Sequence, residues 1–133
     1  MRSICLAAAL AALTACASAP TADQQRVADY GEPIAQAEAV QLAKAFLATR
    51  LKDPYSAVYQ CGQPTKGYTE AAPLFGQKMQ FGYLLDCAIN SKNSFGAFTG
   101  AKPYQFLIRN GSIVSARGQE CLSGGGCYMA PLQ

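Results

Sequence analysis

The sequence predicts an α+β fold, with one N-terminal amphipathic helix packed on a mostly antiparallel sheet of about four strands and stapled by disulfides. Three features of its 133 residues point there. Apolar side chains fall at three- and four-residue spacing between Pro33 and Leu51, the period of one helix face. From Tyr55 onward the texture changes to short β-rich runs divided by Gly, Pro and Asn. The same region holds four cysteines, an even number that suits an oxidising compartment.

The chain opens with a positive residue, Arg2, and an apolar run of Ala, Leu, Ile and Cys over positions 4–13. That run is too short to cross about 30 Å of hydrocarbon and reads as part of a signal peptide, residues 1–15. At its end Leu13-Thr14-Ala15-Cys16 resembles the lipobox of bacterial lipoprotein precursors. The resemblance implies cleavage before Cys16, a diacylglycerol on its thiol and acylation of the new amino group. Each buried methylene of an acyl chain contributes about 0.8 kcal/mol, so two or three chains would hold the domain on a membrane of the cell envelope without spanning it. Ala17 stands where the family's inner-membrane retention signal places Asp, which in a two-membrane bacterium implies the outer membrane and a domain facing the periplasm. The alternative is an ordinary secreted protein cut near Ala17 or Ala19.

Past residue 15 the chain keeps ten basic and eight acidic residues, a net charge of +2 with no dominant basic run. No nucleic-acid partner is implied. The roughly 120 residues that remain suit one domain able to bury about two-thirds of its unfolded surface. Residues 16–31, the lipidated Cys and a stretch with no apolar period, read as a flexible tether reaching on the order of 20 Å. A single α+β domain then spans residues 32–133. Pro33 suits the first turn of its helix, and Val40, Ala43, Phe46, Leu47 and Leu51 share one face. The helix should stop near Lys52-Asp53, because Pro54 disfavours helical geometry in the residue before it. Its apolar stripe is expected to pack on a sheet, since a membrane-surface helix would carry more Lys and Arg on its polar face.

One strand is expected near residues 57–61 and another over about 79–89. Alternation along the second puts Phe81, Tyr83, Leu85, Cys87 and Ile89 on one face, with Cys87 toward the core. Asn110-Gly111 suits a two-residue type I′ turn, which would set Ile108 opposite Ile113 and Leu107 opposite Val114. The cysteines Cys61, Cys87, Cys121 and Cys127 allow three connectivities. The run Leu122-Ser123-Gly124-Gly125-Gly126 is flexible enough to close a small ring, which favours Cys121 with Cys127 and leaves Cys61 with Cys87. On the chain-entropy account the two rings contribute about 2 and about 3 to 4 kcal/mol.

Two further segments stand out. Leu51-Lys52-Asp53-Pro54-Tyr55-Ser56-Ala57, and later Asn90-Ser91-Lys92-Asn93-Ser94-Phe95-Gly96-Ala97-Phe98-Thr99-Gly100-Ala101-Lys102-Pro103-Tyr104, resemble a group of small, uncharacterised bacterial envelope proteins. Its members pair an L-K-D-P-x-S-A helix end with a strand and an N-x-K-N-S-F-G-x-Y-x-G loop. The group's Cys lies one residue further from that Asn than Cys87 does from Asn90. The similarity covers residues 51–109 and implies an α+β fold, with no substrate attached. The loop over residues 90–103 is the candidate binding surface: Phe95 and Phe98 offer apolar anchors beside Lys92 and Lys102. Such a surface suits a protein partner or an acidic cell-wall glycan. The competing reading is that both rings pin the loop to the core, and their solvent exposure separates the two.

The chain has no His, so neither a Ser-His-Asp nor a Cys-His centre can be assembled from it. Asp53, Glu70, Asp86 and Glu120 are scattered without a pairing motif, and no catalytic residue is assigned. The glycine run lacks the Lys and Ser or Thr of a phosphate loop, and without a C-x-x-C knuckle neither metal nor cofactor is expected. Three function classes follow. The leading one is a membrane-anchored envelope lipoprotein whose non-enzymatic domain binds or serves a structural role; the others are an inhibitor of a secreted enzyme such as a lysozyme, and a hydrolase using carboxylates alone.

Overall fold

A computed structural model describes residues 19–70 and 78–132; the signal segment and Cys16 lie outside the described residues. Helix α1 (Ala22–Val27) comes first, held by a reciprocal cap in which Gln24 N donates to Thr21 Oγ1 and Thr21 N donates to Gln24 Oε1. The stretch expected to be a flexible tether thus contains a helix. Its last residues are docked: Arg109 donates to the Asp29 carbonyl at 2.7 Å and pairs with the Asp29 carboxylate at 2.6 Å, and Tyr30 sets its ring edge-on to Phe81 at 5.5 Å.

Helix α2 (Gln36–Leu47) is the expected amphipathic helix, shorter at both ends than predicted and not the first element. Pro33 lies two residues before the N-cap Ala35, outside the first turn. Glu32 N donates to Asn110 Oδ1, so the chain is still bound to the sheet there and turns helical only afterwards. At the other end Arg50 N and Leu51 N both donate to the Leu47 carbonyl, and Arg50 Nη1 donates to that of Phe46. These bonds satisfy the last carbonyls and end the helix several residues before Pro54. Ala39, Ala43 and Leu47, spaced by four, are buried on the sheet.

Six strands, not four, form the sheet: β1 (Asp53–Cys61), β2 (Thr65–Thr69), β3 (Gln80–Lys92), β4 (Lys102–Arg109), β5 (Ser112–Cys121) and β6 (Cys127–Pro131). Every pairing is antiparallel. The spatial order is β1-β3-β4-β5-β6, and β2 also pairs with β3. β2 lies beside the first half of β3 and β1 beside the second half, so two short strands share one edge.

The main core joins α2 to Leu85, Cys87, Ile89, Phe106, Ile108 and Ala116. Phe81 and Tyr83, expected on the same face as Leu85, are only partly buried and stand outside that cluster. Leu107, one residue out of phase with Phe106, is 1% exposed on the opposite face, in register with Leu84. Gly82 allows close approach here: a Cβ at this position would sit 2.5 Å from the Ile108 carbonyl oxygen.

The hairpin between β4 and β5 turns at Asn110 and Gly111, both with positive φ. Ile108 faces Ile113 as expected, but Leu107 faces Ser115, not Val114, because β5 carries Val114 as an extra, bulged residue. Both favoured disulfides are present, Cys61 with Cys87 across β1 and β3, and Cys121 with Cys127 across β5 and β6. Gly62 N donates to Asp86 O, and Leu122 N to Gly126 O, just beyond each bridge. Each pair therefore occupies a non-hydrogen-bonded site, where antiparallel Cα atoms come closest, here 4.1 and 4.0 Å.

Candidate binding site at one end of the sheet

The candidate loop is shorter than predicted, because β3 runs on to Lys92 and β4 begins at Lys102. What remains, residues 93–101, is organised around Asn93. Its amide donates to the Ala97 carbonyl, its carbonyl accepts from Gly96 N, and its Oδ1 accepts from Phe95 N and Ala97 N. Thr99 donates through both N and Oγ1 to the Ser91 carbonyl. Gly96 sits at a φ of 81°, a turn geometry that a side chain would strain.

This frame holds the aromatic pair outward. Phe95 is 94% exposed and Phe98 52% exposed, so neither ring is a core anchor. Lys92 Nζ lies 5.3 Å above the Phe98 ring, and Lys92 N donates to Ser56 Oγ. The latter bond ties the loop to β1. The two segments singled out in the sequence, residues 51–57 and 90–104, accordingly adjoin one another at this end of the sheet.

Beside the aromatic pair is a cleft of about 190 Å³. Arg50 and Lys52 reach it from the turn after α2, Lys92 from the end of β3, and Lys102 from the start of β4. Thr99 and Tyr104 also line it, and among the described residues no carboxylate does. Arg50 stacks on Phe46 at 3.8 Å, which fixes its guanidinium in place. Burial pushes the Tyr104 hydroxyl above its ordinary range, and keeps it a neutral hydrogen-bond group. Tyr59, on β1 with β3 between it and the strand of Tyr104, is raised by burial first and by Tyr104 second.

Of the predicted binding residues, Lys92 and Lys102 line the cleft, while Phe95 and Phe98 stand out from the adjoining loop. Sequence reasoning missed Arg50, Lys52, Thr99 and Tyr104. The sequence marks Lys52 and Asp53 as a helix end and as part of the Leu51 to Ala57 resemblance, and their nearness to the loop is a product of tertiary pairing.

Three of the four scattered carboxylates have local partners. Asp53 accepts from Ser56 N, Asp86 from Gln105 Nε2, and Glu120 from the Tyr128 hydroxyl. Among the described residues no three His, Cys, Asp or Glu side chains gather where a metal ion could be held, and no helix is long and apolar enough to cross a membrane. Comparison of the chain with family models, curated proteins and solved structures finds no match.

Proposed function

We propose that this protein is a lipoprotein of the bacterial cell envelope, anchored through Cys16 to the outer membrane and facing the periplasm, whose domain acts by binding rather than catalysis. The observation that carries the binding reading is the outward presentation of Phe95 and Phe98 on a hydrogen-bonded frame. The Phe95 ring, held in water by a fixed turn, adds almost nothing to the core, yet a partner that covers it need not order it first. The anchor rests on the lipobox-like Leu13 to Cys16.

Two measurements test this reading. Intact mass of the mature protein is expected to show residues 16–133 with acyl chains, and Cys16→Ser to prevent them; an unacylated product starting at Ala17 or later overturns the anchor. Capture from envelope extract by the full mature chain is expected to be lost with Phe95→Ser. Unchanged capture rejects the loop as the binding surface.

A further inference from the structure

We propose, on the basis of that binding reading, that the cleft beside the loop takes peptide-stem carboxylates of the cell-wall peptidoglycan, with the sugar faces of its glycan lying against Phe95 and Phe98. Three lysines, Lys52, Lys92 and Lys102, converge from three separate elements on one concavity that no carboxylate among the described residues lines. Asp53, next to Lys52 in the chain, spends Oδ1 on the Ser56 amide. Like charges gathered this way repel one another, and an anion between them removes that cost.

Size and position narrow the ligand. At about 190 Å³ the cleft is smaller than the 300 to 1,000 Å³ typical of sites that engulf a small molecule. It admits a charged group and leaves the rest of the ligand outside, on the exposed rings. Hydroxyl-bearing Thr99 and Tyr104 supply further polar contacts of the kind a sugar uses. The N-terminal segment joins the sheet at its other end, where Tyr30 meets Phe81 at the start of β3. From Phe81 to Lys92 a strand rising about 3.3 Å per residue covers roughly 35 Å. The cleft therefore lies at the opposite end of the sheet from the docked N-terminal segment.

The test uses the mature chain with Cys16→Ser, which keeps every described residue and needs no detergent. Sedimentation with purified insoluble peptidoglycan is expected at low salt, with release as salt rises. Reversing two charges together, Lys52→Glu with Lys102→Glu, should weaken binding about tenfold or more. The matching Gln pair should fall between, and Lys78→Glu, outside the cleft, should leave binding unchanged. Peptidoglycan whose carboxyls have been amidated should bind wild type no better than native wall binds the double Glu variant. Binding insensitive to charge reversal or to amidation overturns the proposal, as does equal or tighter charge-dependent binding to phosphatidylglycerol vesicles. Loss of envelope capture in Phe95→Ser without any wall binding would also overturn it, while leaving the loop as a binding surface for another partner.

Discussion

The three phenylalanines Phe95, Phe98 and Phe106 form a graded series in which exposure should set the cost of removal. Full burial of a Phe side chain contributes about 1.5 to 3 kcal/mol. Phe95, 94% exposed, retains about a twentieth of that, so Phe95→Ser should cost roughly 0.1 to 0.2 kcal/mol. Phe98, about half covered and carrying Lys92 over its ring, should cost roughly 1 to 1.5 kcal/mol. Phe106 has 0% exposure and packs against Phe46 and Tyr104, so Phe106→Ala adds a cavity and should cost about 3 to 5 kcal/mol. Urea unfolding at constant m-value reads all three. A loss above 1 kcal/mol for Phe95→Ser, or equal losses for Phe95 and Phe98, would refute the outward placement of the loop tip. The order also makes Phe95→Ser the cleaner probe of binding, since a Phe98 variant mixes recognition with stability.

Gly82→Ala places a Cβ against the Ile108 backbone, which cannot swing aside, and should lower stability by about 1 to 3 kcal/mol. Gly67→Ala meets only the Leu84 side chain and should cost less; the reverse order in urea midpoints would contradict the close approach of β3 to β4. Tyr59 and Tyr104 have raised pKa values in the fold, so above about pH 10 the unfolded chain gives up protons first and stability falls as pH rises. That contribution is fully present below pH 10, and Tyr59→Phe should flatten the alkaline slope; an unchanged slope refutes the assignment. Alkylation without reduction should label none of Cys61, Cys87, Cys121 and Cys127, and mild reduction should open the exposed Cys121 to Cys127 bridge before the one involving buried Cys87. Equal rates would contradict the difference in access.

What could be read from the sequence was local. Asn110-Gly111 dictates its own turn, and the spacing of Ala43, Phe46 and Leu47 dictates a helix face, so both elements were visible in advance. β2 and β6 were not. Thr65-Lys66-Gly67-Tyr68-Thr69 and Cys127-Tyr128-Met129-Ala130-Pro131 are five residues each, broken by Gly or ended by Pro, and they become strands by pairing with β3 and β5. The Val114 bulge escaped for a related reason, since alternation predicts a face but not an inserted residue. At the site, the Phe and Lys residues of one loop announced themselves by composition. Lys52 and Arg50 are about forty positions away in the chain, and only the pairing of β1 with β3 brings them to the same cleft.

The bridge between Cys61 and Cys87 has a consequence for a chain that meets a protease. It joins the half that carries Cys16 to the half that carries the aromatic loop, and closes residues 62–86 into a covalent ring. A single cut anywhere in that ring leaves two fragments that still travel as one molecule. On the proposed reading, the fragment with Cys16 would keep its grip on the membrane and the other its hold on the ligand, so attachment would outlast backbone continuity until a reductant arrives.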